Sequence, residues 1–271
     1  MPSARTDIAT DDEAGLDTVV RGLPTLAAPS GDLAAPPQSP ADSPADIRIP
    51  EVAPSLYEQV YSSLLDAICA GVLRPGDRLN QDELAARLGV SRQPLTQALT
   101  VLRSQGFAHE AGRRGLVVAP LARNFFVSLY ELRESLDPMA ARLAAPRCAA
   151  LSPELHRTKA ARARALLERG RAALARGDIA ELTGADMAFH MWLYEAAGNP
   201  LLAETLRLYW NHLRRAMIAV LEPIETRERT WNEHEAIVDA VLAGDARRAE
   251  RLSLRHIRNA ARRVIEPLGK T

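Results

Sequence analysis

Aromatic residues, cysteines and net charge are all scarce in this sequence, and each scarcity narrows the class of protein that it encodes. Aromatic residues make up only 4% of the 271 residues, whereas alanine, leucine, arginine and glutamate are abundant. This composition favours packed helices over a β-sandwich. The 34 basic and 34 acidic residues cancel, so any binding to nucleic acid must come from a local surface rather than from an overall field.

Disulfides and membrane spans are not expected either. Cys69 and Cys148 are far apart, and neither belongs to a C-x-x-C pair, which indicates a reduced, intracellular protein. No run of 18 apolar residues is present, and the first twenty residues lack the apolar stretch of a signal peptide. We therefore expect a cytoplasmic protein with no membrane span.

Residues 1–50 differ in composition from the rest of the chain. They contain eight of the 18 prolines, more acidic than basic side chains, and little hydrophobic periodicity. Such a segment cannot bury enough apolar surface to offset the entropy lost on ordering. We predict a disordered N-terminal tail over this range.

Residues 51–121 carry the start signals of three short helices, followed by a hairpin. Ser55 and Glu58 form a capping box at the first helix. Asn80 caps the second helix, QDELAARL, and Ser91 caps the third. The runs FAHEA and GLVVAP then predict two short strands, separated by GRRG, a basic tip flanked by glycines. This order is typical of a winged helix-turn-helix domain.

The third helix has the two faces of a helix that reads DNA. Leu95, Leu99 and Leu102 recur at helical spacing and are expected to face inward. In a winged helix-turn-helix the opposite face enters the major groove, where arginine can bind guanine and glutamine can bind adenine. The alternative is an ordinary amphipathic helix with a solvated polar face. The predicted DNA-binding residues are Ser91, Arg92, Gln93, Thr96, Gln97 and Arg103 on the helix, and Gly112, Arg113 and Arg114 at the hairpin tip.

Residues 122–271 predict an all-α antiparallel bundle of about six helices. Short separators such as Pro146, Gly198-Asn199-Pro200, Glu222-Pro223 and Gly244-Asp245 divide the helical patterns, and short connections make neighbouring helices antiparallel. The predicted fold class is therefore mainly α, with an N-terminal winged helix-turn-helix and this C-terminal bundle. The predicted helices are 123–145, 152–176, 178–197, 200–221, 225–243 and 245–265.

Four side chains in the bundle are candidates for a metal site. Asp186 and His190 are separated by one helical turn and share a face. His234 and His256 lie on the last two helices, equally far from the turn at residue 245, so an antiparallel pair places them at the same height. Three imidazoles and one carboxylate suit zinc, nickel or manganese better than calcium. The alternative is a set of unrelated surface or core histidines.

The DNA-reading module resembles a known family. The stretch LRPGDRLNQDELAARLGVSRQPLTQALTVLRSQGFAHEAGRRGLVVAPL is similar to the N-terminal domain of the GntR family of bacterial repressors. This resemblance implies that Arg92 reads DNA. Two arginines that are common in the family are replaced here, by Thr96 on the third helix and by Asp82 on the second. We therefore expect Gln93 and Gln97 to supply part of the base recognition.

The helical half resembles the FCD-type effector domain of the FadR subfamily. DMAFHMWLYEAAGNPLL looks like its D-x-x-x-H helix, and HEAIVDAVLAGDARRAERLSLRHI looks like its last two helices. The helix count is closer to the VanR-type branch. The resemblance implies a divalent metal, most simply zinc, on Asp186, His190, His234 and His256.

Arg133 matches an arginine that members of this family often carry on the first effector helix. Facing the bundle interior, its guanidinium could bind the carboxylate of an effector in a bidentate manner. The alternative for this side chain is a surface ion pair with Glu134 or Asp137. Asn211 and His212 are further candidates for lining the effector pocket.

These features together predict a transcription regulator. We expect a homodimer, a repressor rather than an activator, that binds a palindromic DNA operator and responds to a small organic acid. One alternative is a regulator that works without metal. A second is a metal-dependent enzyme, but no base or nucleophile is evident near the ligands, since Glu233 and Glu235 are expected to point elsewhere on the helix of His234. We therefore predict that the protein is not an enzyme.

Overall fold

The structure is a computed structural model that describes residues 54–220 and 224–269. It is built from helices and one small hairpin, which confirms the predicted fold class. The tail expected over 1–50 and the turn expected at Glu222-Pro223 lie outside the described residues. In the described part of the chain, no helix is both long and apolar enough to cross a bilayer.

Three helices form the first part of the DNA-reading module. The capping box of Ser55 and Glu58 is present, and the Asn80 side chain accepts hydrogen bonds from the first-turn amides of the second helix. Gly89 follows that helix with φ of 65°, a left-handed conformation that glycine adopts without steric cost. This residue turns the chain sharply into the third helix. The three helices are α1 (Leu56–Cys69), α2 (Gln81–Leu88) and α3 (Arg92–Ser104).

The predicted hairpin is also present. Strands β1 (Ala108–Glu110) and β2 (Leu116–Val118) pair antiparallel. The connection is a single turn of 3-10 helix at Gly112–Arg114, which begins at a positive φ of 55°. The hairpin packs with the inward leucines of α3 in one apolar core.

Six further helices follow, in the number that the sequence predicts. The first of them was expected to end at residue 145, before Pro146. It continues instead to Ala149, so that Pro146 lies inside the helix, close to its C-terminus. A proline there removes one backbone hydrogen bond, but Ala144, Ala145 and Cys148 are fully buried around it and hold the last turn in the core. The helices are α4 (Arg123–Ala149), α5 (Pro153–Arg176), α6 (Ile179–Ala197), α7 (Pro200–Ala219), α8 (Ile224–Leu242) and α9 (Ala246–Ile265).

The bundle is arranged around α4, which packs against α6, α8 and α9. Helices α8 and α9 are joined by a short turn at Gly244, and the Asp245 side chain caps α9 by accepting from the amide of Arg248. Because this connection is so short, the two helices run antiparallel and in close contact. The inner faces of α6, α8 and α9 therefore meet beside α4.

One glycine determines how α5 and α8 pack. Gly170 of α5 lies directly against the indole of Trp231 on α8, and a Cβ atom at residue 170 would be only 2.0 Å from Cη2 of that ring. The indole is buried and cannot move outward freely. At a second helical glycine, Gly184 of α6, an added Cβ atom would be 3.7 Å from its nearest neighbour, Nη2 of Arg169, which is an ordinary van der Waals contact.

We expect Gly170→Ala to lower the free energy of unfolding by about 1–3 kcal/mol, because the added methyl group overpacks the contact with Trp231. The matched variant Gly184→Ala gains helix propensity without a clash, so it should be neutral or slightly stabilising. Urea unfolding of both variants tests this expectation. Equal stability of the two variants would contradict it.

Candidate functional site

The outer face of α3 is organised as the sequence predicts. Leu95, Leu99 and Leu102 are buried in the module's core. Ser91 is the N-cap of the helix, but its side chain makes no capping hydrogen bond, so the hydroxyl is not used by the helix. The predicted base-reading positions on this helix are all exposed: Arg92, Gln93, Thr96, Gln97 and Arg103.

The two arginines of this face are each held by an acidic side chain. Arg92 lies 2.6 Å from Asp82 of α2, and Arg103 lies 3.2 Å from Glu110 of β1. All four side chains are largely exposed, and exposed ion pairs contribute only about 0–1 kcal/mol. Both guanidinium groups can therefore exchange their carboxylates for DNA at little cost. The hydroxyl of Thr96 donates to the carbonyl oxygen of Arg92 at 2.8 Å.

Arg113 and Arg114 lie at the exposed tip of the hairpin, next to Gly112. Neither arginine contributes to the core of the module. The tip is thus free of a packing role, as a backbone-contacting wing requires.

The histidines of the bundle converge. One ring nitrogen each from His190 of α6, His234 of α8 and His256 of α9 lies within 4.8 Å of the others, and all three residues are buried. The Nε2 atoms of His234 and His256 are 3.2 Å apart, which places these two residues at the same height on the antiparallel pair α8–α9. We call these residues the histidine cluster.

Asp186 faces the histidine cluster. Its Oδ1 atom is 3.5 Å from Nε2 of His234, and its Oδ2 atom is 3.9 Å from Nε2 of His190. All four predicted ligands are therefore brought together by α6, α8 and α9. The carboxylate is almost fully buried, and burial raises its pKa because the charged form is desolvated.

Burial also keeps two of the imidazoles neutral. The pKa values of His190 and His234 lie well below the ordinary value of histidine, mainly through desolvation and further through neighbouring positive groups such as Arg133. The neutral imidazole is the form that binds metal ions.

The geometry fits a divalent ion. Two nitrogens bound about 2.1 Å from one ion lie about 3.0–3.4 Å apart, and the Nε2 atoms of His234 and His256 are within this range at 3.2 Å. The Nδ1 atom of His256 donates to Glu233 at 2.9 Å, which leaves its Nε2 lone pair directed to the cluster. A carboxylate behind a histidine is a common arrangement at metal sites.

Glu233 contacts the histidine cluster through His256, a contact that the sequence did not predict. It was expected to point away from any site, and it does turn away from His234, but toward α9, where it also accepts from Asn259 at 2.6 Å. Successive side chains on a helix differ by about 100°, so the residue beside a ligand on α8 can face the neighbouring helix. The spacing of His256 and Asn259, one turn apart on α9, was the available signal.

Arg133 faces the bundle interior and is also ion-paired. Its Nη2 atom is 2.8 Å from Asp137, so the ion pair exists, but it is buried rather than on the surface. The same atom is 3.2 Å from Nε2 of His190. Burial works against the charged guanidinium, yet Asp137 more than compensates and the pKa of Arg133 is raised. Its Nε atom is buried and, among the described residues, has no hydrogen-bond partner.

A cavity opens beside Arg133 and the histidine cluster. Residues of α4, α6, α7, α8 and α9 line it. Arg133, Asp186, His190 and His256 form part of the wall.

Asn211 and His212 are not part of this wall, which differs from the sequence prediction. The His212 ring instead stacks on Phe107 with centroids 4.1 Å apart, and its Nε2 atom donates to the carbonyl oxygen of Gln105 at 2.9 Å. The backbone oxygen of Asn211 accepts from Sγ of Cys69. Both residues lie on the side of α7 that faces the DNA-reading module, a half-turn away from the cavity.

The opposite side of α7 faces the cavity and the histidine cluster. Trp210 and Leu213 lie around Arg133 and His190, and Met217 lines the cavity itself. One helix thus contacts the module that carries α3 and the site that carries the histidine cluster.

Fold and site together define a winged-helix DNA-binding protein with a second, all-helical domain. Residues 56–118 match the family described as bacterial regulatory proteins, gntR family, and residues 128–259 match the FCD domain. The chain belongs to the GntR family of bacterial transcription regulators and carries an FCD domain. The members of this family that it matches are regulators and not enzymes.

Individual relatives agree with this assignment. The Nta operon transcriptional regulator of Aminobacter aminovorans is 36% identical over an alignment that spans 53% of this chain and 64% of that protein. LutR of Bacillus subtilis is 30% identical over 70% of this chain and 92% of its own length. The solved structure of Escherichia coli McbR/YncC has a TM-score of 0.61 at 24% identity, covering 76% of this chain and 95% of that one, which shows a shared fold.

The position of His212 predicts a pH dependence. Burial lowers its pKa, and Arg215 adds to this effect, although the hydrogen bond to Gln105 opposes it. The folded protein therefore holds fewer protons on this ring than the unfolded chain. Its contribution to stability is complete above the unfolded pKa of about 6.5 and is lost as the pH falls below that value.

We therefore expect wild type to lose more unfolding free energy than His212→Phe when the pH is lowered from 8 to 5.5. Phenylalanine preserves the ring stack on Phe107 but does not titrate, and the histidine cluster contributes equally to both proteins. Urea unfolding at several pH values measures the difference. Parallel pH curves for the two proteins would show that this ring is not titrating as described.

Proposed function

We propose that the protein is a cytoplasmic transcription repressor whose affinity for its operator is controlled by a small organic acid. In this proposal a homodimer binds a palindromic operator through α3 and the hairpin tip of each subunit. The FCD domain holds a divalent metal ion, most simply zinc, and the acid binds beside it.

The single observation that carries this proposal is the double contact of α7. One side of this helix lines the effector site through Met217 and Leu213, and the other side holds the DNA-reading module. Besides the stack of His212 on Phe107, Arg214 forms an ion pair of 2.6 Å with Asp66 of α1. A shift of α7 in response to the cavity's contents therefore changes how the module is held.

The energetic requirement is a difference in affinity. An acid that binds equally well to two arrangements of α7 would leave DNA binding unchanged, however tightly it bound. Coupling of about 1–3 kcal/mol, the usual range, changes operator affinity by about 5- to 150-fold. Regulation of that size needs only a small repacking of one helix.

The residues around the histidine cluster support the metal. Nitrogen donors with one carboxylate suit zinc, nickel or manganese, and Glu233 would orient His256 by accepting from Nδ1. When bound, a divalent ion supplies positive charge and an open coordination position for a carboxylate oxygen. Arg133, whose Nε has no hydrogen-bond partner in the described part of the chain, would bind the same carboxylate from α4 and orient it.

The DNA-reading module supports dimeric binding. Its acidic and basic side chains nearly cancel, so attraction to phosphate alone is weak. Two modules on two half-sites would supply the affinity that one module lacks. Arg92 is the strongest candidate for base recognition, since it is exposed at the first turn of α3 and only loosely held by Asp82.

We expect Arg92→Ala to nearly eliminate specific operator binding, because a bidentate contact with guanine contributes about 1–3 kcal/mol per half-site. The matched control is Arg162→Ala, which removes the same charge from an exposed ion pair with Glu195 in the helical domain. Fluorescence anisotropy with DNA flanking the protein's own coding sequence measures both.

Wild type and Arg162→Ala should bind alike, and a suitable acid should weaken both. If metal-loaded wild type binds none of these DNA fragments, the proposed function is wrong. If Arg92→Ala binds as well as wild type, the assignment of the reading face is wrong.

We expect His234→Ala to lower metal loading strongly without unfolding the bundle, since two imidazoles and a carboxylate hold an ion more weakly than three imidazoles and a carboxylate do. Wild type expressed with added zinc should carry about one ion per chain. Elemental analysis measures the content, and circular dichroism verifies folding. His109→Ala, at an exposed strand residue, is the control and should load normally.

Only traces of metal in the wild-type protein would contradict the metal proposal and favour the alternative, a regulator that binds its acid without metal.

A further inference from the structure

A groove runs between α3 and the hairpin of the DNA-reading module. Thr96, Thr100 and Arg103 line its helical side, and since they are four and three residues apart they share one face of α3. Glu110 contributes from the hairpin, and residues 78–81 contribute from the segment that leads into α2. We call this the hairpin groove. It adjoins the predicted reading face of α3, because Thr96 belongs to both.

The backbone of Arg78 is fixed against the hairpin. The amide of Leu79 donates to the carbonyl oxygen of Leu116 at 2.9 Å, and Arg78 pairs with Val117 in an antiparallel bridge. Side chains alternate between the two faces of an extended backbone. Because Leu79 is buried in the core of the module, Arg78 lies on the opposite, exposed side, where it lines the groove.

The charge of Arg78 is available to a ligand. Glu110, the acidic side chain that lines the groove, pairs with Arg103. The neighbouring carboxylate of Asp77 accepts from the backbone amide of Arg74 at 2.8 Å. Among the residues that the structure describes, no carboxylate forms an ion pair with Arg78.

Most other polar side chains of the groove are already engaged. The hydroxyl of Thr100 donates to the carbonyl oxygen of Thr96, and that of Thr96 donates to Arg92, both at 2.8 Å. The side-chain oxygen of Asn80 caps α2, and that of Gln81 lies 3.2 Å from the Thr96 hydroxyl. Two guanidinium groups therefore dominate the donors that the groove offers, and such donors suit an anion.

The position of the groove indicates which anion it binds. An α-helix is about 10–12 Å across and fills the major groove of DNA, which is about 12 Å wide. The phosphate backbones therefore lie against the flanks of α3 when Arg92 meets the bases. One of these flanks is the helix face that lines the hairpin groove.

We propose that the hairpin groove binds a phosphate of the operator backbone and that Arg78 is its principal ligand. Arg103 joins it by exchanging Glu110 for the same phosphate. This inference rests on the proposed function and adds a DNA contact outside α3 and the hairpin tip. Arg78 then fixes the position of the module on the duplex, while Arg92 reads the bases.

Salt dependence separates a phosphate contact from a base contact. Each neutralised phosphate contributes about 0.9 to the slope of log affinity against log salt concentration. Arg78→Gln removes one contact per subunit, so the slope for a dimer should fall by about 1.8. The ratio of wild-type to variant affinity should consequently narrow by about 12-fold between about 50 and 200 mM salt.

Fluorescence anisotropy of the full-length, metal-loaded protein measures these slopes on the operator fragment and on a duplex of scrambled sequence. Arg78→Gln should weaken binding to both duplexes by the same factor, so the preference for the operator is retained. Arg92→Ala should instead lose that preference. Arg78→Lys keeps the positive charge and should keep the wild-type slope.

The matched control is Arg74→Gln. It removes the same charge from an exposed residue of the same segment that does not line the groove, so it should bind DNA with the wild-type slope. Thermal melting verifies that each variant is folded.

An unchanged slope in Arg78→Gln would overturn the inference and leave the proposed function intact. An equal loss of slope in Arg74→Gln would also overturn it, because the effect would then be one of general charge. A loss of affinity confined to the operator would make Arg78 a base contact and overturn it as well. Failure of wild type to bind any duplex would contradict the proposed function itself.

Discussion

The structure depends on the burial of polar groups at the centre of an otherwise apolar bundle. Asp186, the Arg133–Asp137 pair and the histidine cluster are all almost fully buried, and each buried polar group needs partners to offset its desolvation. These partners come from α4, α6, α8 and α9, so satisfying them sets the register of four helices at once. Among the described residues, Nε of Arg133 and Nδ1 of His234 remain buried without a hydrogen-bond partner.

Helix α7 differs from these four helices because it contacts both the cavity and the DNA-reading module. Its inner side closes the site through residues such as Met217, and its outer side holds the DNA-reading module through His212 and Arg214. The contacts on the outer side are a ring stack, one exposed ion pair, and hydrogen bonds that include a buried one from Arg215 to the carbonyl oxygen of Ala119. These few contacts can respond to a small free-energy difference at the site.

Local features were predicted well from the sequence, whereas contacts between residues that are distant in sequence were predicted only in part. Caps and turns such as Ser55, Asn80 and Gly89 act over a few residues, so their roles were readable directly. His234 and His256 could be paired because one short turn joins their helices. Glu233 and the outward side of α7 could not be assigned, since they depend on how helices rotate against partners that are distant in sequence. For the same reason His212 was expected in the cavity, whereas rotation of α7 directs it to Phe107.

Hydrogen–deuterium exchange tests the coupling through α7 most directly. Protein loaded with zinc is compared with and without an acid that binds it, and amide protection is followed along the chain. The account predicts altered protection in α7 and also in Gln105–Phe107 and Ala119, which contact its outer side. Altered protection confined to the cavity wall, with residues 105–119 unchanged while the acid is bound, would contradict it.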